Sequence, residues 1–85
     1  MARWHVYILE CRGGTLYTGV TTDVTRRFHE HQRTPARYTA YNPPVRIVYT
    51  ESFRQKPAAF TREAQIKRWP RAKKLALVNR KGGSR

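Results

Sequence analysis

The chain has 85 residues, of which 18 are Lys or Arg and five are Asp or Glu, giving a net charge of +13. That length allows one small domain with a core just large enough to fold unaided. The charge makes nucleic acid the expected partner, no apolar run approaches the ~20 residues of a membrane span, and the lone Cys11 excludes an internal disulfide or a CxxC metal site.

Two alternating segments, 4–11 and 15–21, open the chain with Gly13-Gly14 between them, the pattern of a β-hairpin. Arg12 and the glycines interrupt the first apolar segment, so no signal peptide is expected. A reducing cytoplasm fits Cys11 as a strand residue. Loop length decides the faces. A two-residue loop would place Tyr7 and Tyr17 on opposite sides. A three-residue loop, Arg12-Gly13-Gly14, pairs Cys11 with Thr15, with Gly14 left-handed. It gathers Val6, Ile8, Leu16 and Val20 on one face and Tyr7 with Tyr17 on the other, beside His5 and Gly19. We prefer this register because it unites the aliphatic residues.

A short helix follows in "TTDVTRRFHEHQ", capped by Thr22 or Asp23. Arg27 and His31 are one turn apart, next to the apolar stripe of Val24 and Phe28. Arg26, Glu30 and Arg33 are expected to face outward. Residues 33–44, with Pro35, Pro43 and Pro44, read as a loop that carries Arg37. "VRIVYTE", 45–51, is a third strand. Pro57 opens a second helix to about Trp69, and Pro70 opens a third over roughly 70–80. Gly82-Gly83 begins a flexible basic tail, 81–85. The order ββαβαα implies an α+β fold, a three-stranded, mostly antiparallel sheet flanked by helices in a single domain over 1–80.

The acids sort by elimination. Asp23 is a cap, Glu30 lies on an outer face, and Glu10 and Glu51 sit near strand ends. At about 100° per residue, Ala59, Phe60, Ala64 and Ile66 define the apolar stripe of the second helix, and Glu63 falls near its middle. A carboxylate there needs a cation. The partner is either Lys67 or Lys73, or a hard metal ion with water and substrate phosphate completing its shell.

Taken together, "VYI" at 6–8, "YTG" at 17–19, "RRFHEH" at 26–31 and "TREAQIKRW" at 61–69 resemble the GIY-YIG nuclease superfamily, above all its small stand-alone branch. The resemblance covers about residues 4–78. It implies an endonuclease that hydrolyses phosphodiesters with one divalent cation, Mg²⁺ or Mn²⁺, leaving 5′-phosphate and 3′-hydroxyl ends. Tyr7 and Tyr17 match the motif tyrosines, Arg27 the arginine of the first helix, His31 a histidine one turn later, and Glu63 the metal-binding glutamate. DNA is the expected substrate, contacted by Arg26, Arg33, Arg37, Lys67, Lys73 and Lys74. Two departures stand out. The first motif lacks the glycine of the family name, and "RTPARYTAYNPP" replaces a Gly- and Lys-rich loop. With no second domain to direct cleavage, low sequence specificity, structure guidance or a protein partner is expected. The competing class is a non-catalytic binding module, RNA- or ribosome-associated.

Overall fold

The hairpin turn sets the geometry of everything that follows. In the computed structural model, which describes residues 3–33 and 42–83, β1 (Trp4–Cys11) and β2 (Leu16–Thr21) flank a turn formed by Arg12–Gly14. The Cys11 N–H donates to the Thr15 carbonyl at 2.8 Å, closing a three-residue loop. Both glycines are left-handed, Gly13 at φ 85° and Gly14 at φ 87°, a backbone that side chains with a Cβ resist. The register therefore runs Leu9↔Tyr17, Ile8↔Thr18 and Tyr7↔Gly19. Val6, Ile8, Leu16 and Val20 share one face and Tyr7 shares the other with Tyr17, as expected.

β3 (Pro44–Phe53) pairs antiparallel with the other side of β1, so the strand order is β2-β1-β3 and the whole sheet is antiparallel. The buried central strand carries Val6, Tyr7, Ile8, Leu9 and Cys11. Helices cover both faces. α1 (Val24–Arg33) lays Val24 and Phe28 against Tyr7, Leu9 and Cys11. α2 (Lys56–Lys67) and α3 (Arg71–Gly83) cover the opposite face through Ala59, Ile66 and Leu77, packed with Val6, Ile8 and Tyr49.

Local chemistry fixes the helix ends. Asp23, rather than Thr22, caps α1: its Oδ1 accepts from the Arg26 N–H at 3.0 Å. Pro70 separates α2 from α3, and its carbonyl accepts the Lys73 and Lys74 N–H groups that open α3. α3 continues to Gly83, so the first three residues of the expected 81–85 tail belong to the helix. The loop centred on residues 34–41, including Arg37, lies outside the described residues.

One expectation about α2 is corrected. Ala59 and Ile66 are buried, but Phe60 is 44% exposed and Ala64 is exposed too. The buried line is narrow because a seven-residue repeat of Ala59 and Ile66 suffices to seat the helix. Glu63 consequently sits on the flank of that line, with its side chain 17% exposed, rather than in its middle. Among the described residues no helix is long and apolar enough to cross a membrane.

Candidate active site

Tyr7 is the centre of the site because it projects from the central strand opposite a glycine. Its ring lies across Gly19 on β2, where an added Cβ would stand 2.6 Å from the Tyr7 Cζ. No other residue type fits at Gly19 without moving that ring. The ring thus passes over the neighbouring strand, which carries the hydroxyl towards the free edge of β2.

Tyr17 lies diagonally across the strand pair from Tyr7, with ring centroids 6.4 Å apart. α1 then inserts His31 against both. The imidazole is 5.0 Å from the Tyr17 ring centroid and 6.4 Å from that of Tyr7, edge-on to each. His31 is 1% exposed, and its Nε2 lies 3.3 Å from the Tyr7 hydroxyl. One turn earlier on α1, Arg27 carries the positive charge that opposes the rise of the Tyr7 pKa. We assign the phenolic O–H to His31 Nε2, which makes that nitrogen the acceptor of a neutral imidazole.

The electrostatics agree with this assignment. Burial, with the Arg27 charge adding to it, pulls the His31 pKa below its ordinary value, and Glu30 opposes that only in part. Burial is also the main cause that pushes the Tyr7 pKa up to about 12, with Tyr17 and Glu63 contributing and Arg27 opposing. Glu63, on a helix that packs on the other face of the sheet, makes the smallest of these contributions.

Glu30 keeps the outward side of α1 expected of it, with its side chain 36% exposed, and pairs there with two arginines of its own helix. Its Oε1 accepts from Arg27 Nη1 at 3.1 Å, and its Oε2 lies 3.7 Å from Arg26 Nη1. A long side chain three residues on can reach back to Arg27, which Glu30 thereby anchors. The signal was present in the i, i+3 spacing of Arg27 and Glu30.

The other charged residues separate clearly. Lys67 pairs with Glu63, Nζ to Oε2 at 3.2 Å, which is one of the two ion pairs open from sequence. Lys73 instead lies over the Trp69 ring at 4.4 Å from its centroid. Glu10 pairs with Arg46 across β1 and β3, and Glu51 with Arg62 at 2.8 Å. Arg26 and Arg33 are exposed at the outer side of α1, and Lys74 lines a cleft with Thr15, Leu16 and Arg71. The acids are taken up by ion pairs or, for Asp23, a cap, which leaves most of the positive charge without a carboxylate.

Among the described residues no three His, Cys, Asp or Glu side chains gather into a metal cage. Mg²⁺ does not require one, because it keeps several waters and uses one or two carboxylates plus substrate phosphates. Glu63, with its side chain 17% exposed, is a carboxylate of the kind that demand allows.

The profile of the GIY-YIG catalytic domain matches residues 3–76. The chain belongs to the GIY-YIG family. It is 47% identical over 76 residues to a UPF0213 protein of Xanthomonas axonopodis pv. citri, covering 88% of this chain and 74% of that one. It is 51% identical over 74 residues to a UPF0213 protein of Halobacterium salinarum, covering 86% and 96%. The solution NMR structure of a UPF0213 protein from Bacillus halodurans superimposes with a TM-score of 0.63 at 45% identity, covering 95% of this chain and 87% of that one. GIY-YIG domains are nucleases as a family, and nucleic acid is their substrate.

Proposed function

We propose that this GIY-YIG domain is a divalent-metal-dependent endonuclease that hydrolyses phosphodiester bonds in DNA, leaving 5′-phosphate and 3′-hydroxyl ends. The observation that carries the reading is the convergence of Tyr7, Tyr17 and His31 on one sheet face, with Arg27 one turn before His31 on α1.

The roles follow from position. In-line attack by water builds negative charge on the phosphate oxygens while the bond from phosphorus to the 3′ oxygen breaks. Arg27, held in place by Glu30, stabilises that charge. Tyr7, with its pKa near 12, keeps its proton at neutral pH and acts as an orienting group. His31, neutral and buried, fixes the Tyr7 hydroxyl and is a second candidate to position the proton. Tyr17 is less buried and orients the attacking water. Glu63 would hold Mg²⁺ or Mn²⁺, which when bound supplies Lewis-acid stabilisation at the phosphate. Lys67 is then freed from Glu63 to meet the backbone phosphates, along with Arg26, Arg33, Arg37, Lys73 and Lys74. Cleavage has low sequence specificity or is guided by structure or by a protein partner. A reducing cytoplasm suits Cys11, a buried free thiol.

A second reading rests on the Glu63–Lys67 ion pair. There the glutamate is structural and the domain binds nucleic acid without turnover. Incubation with end-labelled single-stranded, duplex and branched DNA and RNA, in Mg²⁺, Mn²⁺ or EDTA, separates the two. The nuclease gives divalent-dependent products with 5′-phosphate ends, and the binding module gives shifts without products.

A further inference from the structure

Helix α2 has two flanks with different work. Arg62 turns one of them towards β3, where it pairs with Glu51. At about 100° per residue, Lys56, Phe60, Glu63 and Lys67 form a stripe along the other flank. Phe60 on this stripe is 44% exposed, although Ala59 and Ile66 already supply the core contact of the helix. Its ring is braced by Trp4, with centroids 6.0 Å apart and planes at 55°. The Lys56 ammonium lies 5.2 Å from the Trp4 ring centroid and 5.7 Å from that of Phe60.

We propose that Phe60, backed by Trp4 and flanked by Lys56, is a stacking platform for an unpaired base of the nucleic-acid substrate beside the phosphodiester at Glu63. Phe60 and Glu63 are three residues apart on one helix, so their side chains are neighbours. A base on the Phe60 ring would therefore place its own sugar–phosphate next to the carboxylate. Every base has a π-face, so the contact adds affinity without reading sequence. Lys56 and Lys67, on either side along the stripe, meet the flanking phosphates. An apolar protein partner fits less well, because covering the patch would bury the Lys56 charge. A second copy of the chain brings another +13 charge to the same surface. The proposal rests on the nuclease reading for its position beside Glu63, but its binding test does not need turnover.

Fluorescence anisotropy in EDTA compares two labelled single strands of equal length, one of ordinary DNA and one abasic at every position. The wild type is expected to hold the base-bearing strand about five- to a hundredfold more tightly. Phe60→Leu keeps apolar packing on Trp4 but offers no ring, so the ratio should fall at least about fivefold, the loss of one stacked base. Phe60→Trp should preserve it. A Phe60→Leu protein that melts like the wild type and keeps the full ratio overturns the platform. Adding Mg²⁺ to the same strands separates the two ideas. A lost ratio without wild-type cleavage supports the platform and removes the nuclease reading, whereas cleavage with an unchanged ratio does the reverse.

Discussion

The Tyr7 hydroxyl lies 3.3 Å from Nε2 of His31, in a pocket where neither side chain is more than 2% exposed. A strand residue and a helix residue 24 positions apart thus share one proton site. Both pKa values are moved in the direction that keeps the pair neutral.

That pair gives stability a pH signature. The His31 pKa is lowered in the fold, so the unfolded chain takes up its proton first as pH falls. Stability is fully present above about pH 6.5, the ordinary histidine value, and declines as pH drops below it. The limiting slope from this one group is about 1.4 kcal/mol per pH unit. At the other end, Tyr7 is raised to about 12, so its contribution is present below about pH 10 and is lost as pH climbs from there towards 12. Urea melts from pH 5 to 8 on the wild type and His31→Gln check the acid limb, where the variant should be flatter. Ultraviolet titration of tyrosinate should show one phenol near 12 that disappears in Tyr7→Phe.

Gly19→Ala is expected to cost about 1–3 kcal/mol, the usual range for overpacking a filled interior. The added methyl would collide with the ring of Tyr7. Tyr7→Val in the same chain removes the ring at the cost of a cavity, so Gly19→Ala should cost much less in that background than in the wild type, and the double variant should have no activity. Thermal melts of the two single variants and the double give the coupling energy directly.

The hairpin was legible in the sequence because only one loop length unites its aliphatic residues, and the two left-handed glycines supply the turn. The Glu63–Lys67 ion pair was legible as one of the two lysine pairings that the sequence leaves open. The rotation of α2 was not. Arg62 and Glu63 flank a buried line of just Ala59 and Ile66, so the apolar pattern of the helix points weakly, and Phe60 was read as core when it is exposed. The grip of Glu30 on Arg27 was not legible from helix-face patterning, which gives outward positions, not which neighbour a long side chain reaches along the surface. The bond between Tyr7 and His31 depends on how α1 crosses the sheet, which no local pattern encodes.

Arg27→Ala should reduce cleavage by about 3–4 kcal/mol in transition-state stabilisation, the loss expected for one charge-stabilising donor. Binding should weaken only modestly, because many other cations remain. Arg27→Lys should rescue little, since a single ammonium cannot keep a contact to Glu30 and grip a phosphate by two oxygens at once. Single-turnover cleavage beside equilibrium binding separates the two effects.

The excess charge should make binding strongly salt-dependent. Neutralising five phosphates on duplex DNA gives a slope of about −4 to −5 in log affinity against log salt. Anisotropy between 50 and 200 mM salt, roughly a factor of several hundred in affinity at that slope, checks it. A flat dependence would contradict a phosphate-led interface.

Glu63→Gln is the most direct test of the mechanism. The substitution keeps size and removes the charge. Its ion pair with Lys67 is half-exposed on the lysine side, so its loss should change stability by no more than about 1 kcal/mol. Nucleic-acid affinity should hold or rise slightly, because one negative charge leaves the site. The measurement is cleavage of labelled DNA in Mg²⁺ by wild type and Glu63→Gln, with thermal melts on the same preparations. The expected result is a protein that melts like the wild type, binds at least as well and does not cut. A Glu63→Gln protein that folds normally and cuts at the wild-type rate would contradict the proposed metal site.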